Sequence, residues 1–145
     1  MKKCFVSVDR FIPVDAQKIF DLVATPTEHP RIDGSGTVQT SNVQGPERLS
    51  LGDTFSVDMK FGAKYRMTNT VVEIEEGRLI AWKPGGDYVW RYRFSPVEGG
   101  TVVTEEWDAS SSKRCFMMRL LGFPRRNRRG ITQTLARIHT IVAPH

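Results

Sequence analysis

The stretch Gly85–Asp108, GGDYVWRYRFSPVEGGTVVTEEWD, decides how the chain folds. Tyr88, Trp90, Tyr92 and Phe94 alternate with Val89, Arg91 and Arg93, the two-residue period of a strand with unlike faces. Gly99-Gly100 supplies a turn, and TVVTEEWD returns as an antiparallel partner. The hairpin therefore sets large, polar-tipped rings on a single face.

Upstream, DTFSVDMKF repeats the pattern: Phe55, Val57, Met59 and Phe61 share one parity, and Ser56, Asp58 and Lys60 the other. This predicts a sheet with one wet face. KYRMTNTVVEIEE continues it with Val72 and Ile74 inward, and Gly77 turns the chain into RLIAWKP, where Ile80 and Trp82 match. TVQTSNV is a further candidate strand, and CFVSVDRFI a first one ended by Pro13. Asp15 can cap a helix over AQKIFDLVA with an Ile19, Phe20, Leu22, Val23 face, stopping before Pro26. From Ser112 the period becomes helical: Phe116, Leu120 and Phe123, then Ile131, Leu135, Ile138 and Val142. Pro124 is expected to bend or interrupt this long helix.

Length and composition suit one soluble domain, residues 1–145, without repeats or low-complexity tracts. No apolar run reaches the ~20 residues of a spanning helix, and no leader-like segment opens the chain, so a cytoplasmic location is expected. Cys4 and Cys115 fit no metal spacing; among apolar neighbours they read as small hydrophobes, with a disulfide left open. The histidines are scattered, so no metal is expected, and no phosphate loop, nucleophile elbow or cofactor motif occurs. GSG in IDGSGTV precedes a strand, which makes it a turn.

Net charge is +5, and Lys113, Arg114, Arg119, Arg125, Arg126, Arg128 and Arg129 crowd one segment without an acid. The plainer reading is a solvated helix face with snorkelling stems. No aromatics interleave RRNRR, which argues against nucleic acid.

Element order and local sequence resemble the START-like (helix-grip, birch-allergen-like, SRPBCC) superfamily, in its polyketide cyclase/dehydrase-type branch, and a bacterial source is expected. The resemblance rests on FIPVDAQKIFDLVATPTEHPRIDGSGTV, VVEIEEGRLIAW, WRYRFSPVEGGTVVTEEWD and the tail LARIHTIVAPH. It implies an α+β fold: a curved antiparallel sheet of about six to seven strands wrapped around a long C-terminal helix. It also implies a hydrophobic cavity between sheet and helix, without specifying what that cavity holds.

Placed on that fold, parity turns Tyr88, Trp90 and Tyr92 inward, with Glu105 and Trp107 from the next strand. Trp82, Met59 and Phe61 join them, and Phe116, Leu120 and Phe123 would roof the space. These residues either line a ligand site or fill the interior as core. Arg66 shares the parity of Val72 and Ile74, so it could face Glu105 and anchor a polar ligand end. Glu105 could instead serve as a general base, with Tyr88, Tyr92 or His29 donating protons.

Three functions follow from these residues. The first is binding of a small hydrophobic or amphipathic ligand, by a monomer or homodimer without cofactor. The second is polyketide cyclase/dehydrase-type catalysis with Glu105 and His29. The third is a regulatory module meeting RNA, the ribosome or anionic lipid through Arg125–Arg129.

Overall fold

Six strands form one antiparallel sheet in the order β1-β6-β5-β4-β3-β2. They are β1 (Phe5–Ile12), β2 (Thr54–Phe61), β3 (Ala63–Glu75), β4 (Leu79–Lys83), β5 (Val89–Val97) and β6 (Gly100–Asp108). This computed structural model describes residues 3–38 and 43–143. Strands β2 to β6 are successive hairpins, and β1 closes onto the free side of β6 in the register Val6↔Trp107, Val8↔Glu105.

The β5–β6 hairpin follows its expected alternation. Tyr92, Phe94, Val103, Glu105 and Trp107 are buried, and Tyr92 lies opposite Glu105. Arg91 takes the other face, where it meets Glu73 at 2.7 Å and Glu106 at 3.0 Å. The turn itself is Glu98-Gly99, one residue earlier than Gly99-Gly100, because Gly100 pairs with Val97 inside the ladder.

In β3 the alternation breaks. The register runs Val71↔Trp82 and then Glu73↔Ala81, leaving Val72 as an extra residue in a bulge. Val71 is buried and Val72 exposed, so positions before the bulge carry the opposite parity from Ile74. This overturns two expectations. Val72 does not point inward, and neither does Arg66, which stands opposite Asp58 and donates to its Oδ1 at 2.7 Å.

Helix α1 (Ala16–Val23) buries Ala16, Ile19, Phe20 and Val23. Asp15 occupies its N-cap position without a side-chain capping bond. After a 3-10 turn at Pro26–Glu28 comes the single-turn α2 (His29–Ile32). The expected strand at 37–43 is seen only as isolated bridges, Val38 to Met59 and Gln44 to Ser56; residues 39–42 lie outside the described ones.

The expected C-terminal helix is two helices, α3 (Cys115–Leu120) and α4 (Phe123–Val142). Gly122 separates them at φ 78°, a left-handed conformation that glycine adopts without Cβ strain. Pro124 does not bend a continuous helix; it falls in the first turn of α4, where its missing N–H is no loss. The apolar stripe Ile131, Leu135, Ile138 and Val142 is buried as its spacing predicts, and α4 packs on β1 and β6. Cys4 and Cys115 form a disulfide that ties α3 to the residue before β1. Among the described residues no helix is long and apolar enough to cross a membrane.

Candidate functional site

Between the curved sheet and α4 lies a cavity of about 490 Å³, within the ~300–1,000 Å³ of small-molecule pockets. The bulge at Val72 and the break at Gly122 set its shape. Because of the bulge, β3 turns Tyr65, Met67 and Asn69 into the cavity; because of the break, α4 presents Phe123, Asn127, Ile131 and Thr134. Opposite α4 stand Phe55, Val57 and Met59 of β2, Trp82 of β4, Trp90 and Tyr92 of β5, and Glu105 of β6.

The buried end is polar in a few places. Glu105 is 5% exposed, and its Oε1 finds no hydrogen-bond partner among the described residues. Burial pushes its titration from 4.5 up to about 8, the neighbouring Tyr92 hydroxyl favours the ionised form, and nearby Asp33 adds to the upward shift. Burial likewise raises the Tyr92 phenol, reinforced by Glu105. At neutral pH, Glu105 is mostly the uncharged acid, since the low-dielectric interior penalises its anion.

His29 also lines the cavity. Its Nε2 donates to the Val23 carbonyl at 2.7 Å, while its ring stacks on Trp82 at 5.0 Å and meets Phe55 edge-on. Burial lowers its pKa and keeps the ring neutral, although the Val23 bond and Asp33 oppose this. The carbonyl can only accept, so Nε2 carries the proton and Nδ1 is the acceptor.

The mouth is marked by exposed lining residues. Phe61 and Tyr65 are exposed there, and the Arg126 guanidinium lies over the Phe61 and Phe123 rings at 4.2 and 4.4 Å. Arg129 also lines this end. The loop 33–38 closes the side: the Asp33 carboxylate accepts bonds from the Ser35, Gly36 and Val38 amides. Gly34 donates to Thr134 Oγ1 at 2.8 Å, and a Cβ at Gly34 would stand 2.4 Å from the Thr134 backbone nitrogen. Gly34→Ala is accordingly expected to lift the loop off α4 and lower stability by about 2 kcal/mol, measured in urea unfolding. An unchanged midpoint would mean that the loop adapts.

Of the residues expected to line the site, Met59, Phe61, Trp82, Tyr88, Trp90, Tyr92, Phe123, Glu105 and His29 do so. Four do not. Arg66 is on the far face for the reason given. Trp107 is 2% exposed and packs among buried residues, 6.4 Å from the Tyr88 ring, so it backs the wall instead of lining it. Phe116 and Leu120 are 76 and 71% exposed; the turn at Gly122 carries α3 away from the cavity. Tyr65, Met67 and Asn69 were missed because a bulge between two valines leaves no mark in the alternation. Asn127, Ile131 and Thr134 were legible: Phe123, Asn127 and Ile131 follow one another at four-residue spacing, a single helical stripe.

Comparison with known proteins agrees with this architecture. An uncharacterised Mycobacterium tuberculosis protein is 35% identical over 133 residues, 88% of this chain. The chain spans 59% of that relative's length. A crystal structure from Nitrosomonas europaea superposes with a TM-score of 0.73 at 13% identity, covering 97% of this chain and 95% of that one. The Aha1 dimer of Colwellia psychrerythraea superposes at 0.66 and 13%, covering 95% of each chain. At these identities the two structures speak for the fold alone. Residues 3–141 match the family described as polyketide cyclase/dehydrase and lipid transport, and the chain belongs to that family.

Proposed function

We propose that the protein binds one small amphipathic molecule in this cavity. The observation that carries the reading is the buried, unpartnered Oε1 of Glu105, a residue in the wall of an otherwise largely apolar cavity. A buried polar atom without a partner is costly, and a ligand that supplies one recovers that cost. The apolar body would lie against Met59, Met67, Trp82 and Trp90, with its polar end at Glu105 and Tyr92. Because Glu105 is mostly protonated at neutral pH, it can meet a hydroxyl, a carbonyl or an amine. Whether the protein acts as monomer or homodimer does not enter this chemistry, since the cavity is built within one chain.

Native mass spectrometry of protein isolated from its own host tests the proposal. A bound small molecule is expected, identified as an amphiphile after release. Protein that is empty in every preparation would refute it.

The raised pKa of Glu105 also favours a second reading, cyclase/dehydrase-type chemistry. A base that titrates near working pH suits proton transfer, with Tyr92 or Tyr88 as donor. His29, with Nε2 committed to Val23, would act through Nδ1. Glu105→Gln separates the readings: loss of turnover on a carbonyl substrate with retained affinity indicates catalysis. A cytoplasmic location belongs to the same proposal, and the Cys4–Cys115 pair tests it. Cytosolic thiols are kept reduced, so trapping in host cells should recover both as free thiols.

A further inference from the structure

A ridge of apolar side chains stands in solvent where α3 leads into α4. Phe116, Met117, Leu120 and Leu121 are 76, 54, 71 and 62% exposed, and neither the core nor the cavity uses them. Contiguous exposed apolar surface of this kind marks a contact site. Helix α3 packs against α4, and Cys115 at its start sits beside Cys4 of the body. The chain runs from it directly into Phe123, which lines the cavity mouth under Arg126.

The surrounding charge is one-sided. Residues 109–145 carry eight Lys and Arg and no Asp or Glu, a formal +8, whereas residues 1–108 sum to −3. Among the described residues, Arg119, Arg125, Arg128 and Arg129 make no ion pair. Aliphatic, aromatic and arginine side chains thus alternate within about a dozen positions beside the opening of an apolar cavity. We propose that this ridge docks the protein on an anionic lipid bilayer, with the apolar tips in the acyl boundary and the guanidinium groups at acidic headgroups. A nucleic acid would engage the arginines alone and leave the ridge in water. A bilayer uses both, and it is also where an amphipathic occupant of the cavity would partition. The cavity reading supplies only the purpose of docking; vesicle binding can succeed with the cavity empty and fail with it filled.

Co-sedimentation with vesicles tests the proposal, comparing phosphatidylcholine alone with phosphatidylcholine containing about one third phosphatidylglycerol. Wild type is expected to sediment with the anionic vesicles, less so as salt rises, and far less with phosphatidylcholine alone. The double variants Phe116→Ser/Leu120→Ser and Arg125→Glu/Arg128→Glu should each weaken anionic-vesicle binding roughly tenfold or more. All four positions are exposed, so thermal melts should match wild type. Wild type remaining in the supernatant, or equal binding to both vesicle types, overturns the proposal. So does unchanged binding by the serine variant, which would indicate that the arginines act alone, as they would on RNA or an acidic protein.

Discussion

Glu105→Gln should stabilise the protein at neutral and alkaline pH and remove a pH dependence that wild type shows. The folded carboxyl titrates at about 8, against 4.5 for the ordinary group, chiefly because burial disfavours its charge. Between those values the folded state holds a proton that the unfolded chain has released, so stability falls as pH rises through the window. The penalty is roughly 3 kcal/mol at pH 7 and about 5 kcal/mol above pH 9, and Gln carries none of it. Other groups act with the opposite sign at lower pH. His29, depressed by burial, loses stability as pH falls below 6.5; Glu73, depressed by its Arg91 bond, does so in the acid range. The window from pH 6.5 to about 8 therefore isolates Glu105. Thermal melts across it should converge below pH 5 and separate steadily above, and parallel curves would show that the carboxyl is solvated. A ligand that pairs Oε1 should also flatten the wild-type curve, which connects this measurement to the proposed function.

Trp107→Ala is expected to cost about 3–5 kcal/mol, or a melting point lower by on the order of 10 °C. The ring is buried within the hydrophobic core, and its loss leaves a void that close-packed neighbours cannot fill. Trp90 sits directly opposite it in the β5–β6 register but lines the cavity. Trp90→Ala should cost less, about 1–2 kcal/mol, because one side of the ring already faces open space. It should widen the pocket and shift which molecules co-purify. Comparable losses from both variants would mean that Trp90 is core as well, with the cavity smaller than its lining suggests.

These two tryptophans also show how far alternation reaches. In β5 and β6 the pleat assigns every residue one of two faces, and the family resemblance says which is inward, so Tyr92, Phe94, Val103 and Glu105 are buried as expected. The same rule turned Trp107 inward, where it is buried, and set it among the lining residues, where the cavity wall does not include it. Parity names a face, whereas lining a cavity depends on what packs in front of the residue. Arg66 failed for a different reason. One inserted residue at Val72 reverses the faces of the strand before it, and a Val-Val pair fits either register. The helical roof failed at Gly122, where a left-handed glycine redirects α3 although the apolar spacing of Phe116, Leu120 and Phe123 continues unbroken across it.

Element order, the two alternating sets of the last hairpin and the apolar stripe of the final helix follow from backbone periodicity, which is local and is written residue by residue. The cavity, the isolation of Glu105 Oε1 and the exposed ridge of α3 are tertiary. They depend on the bulge and the glycine break, and on how far a curved sheet stands from α4, a distance set by contacts between residues remote in the chain.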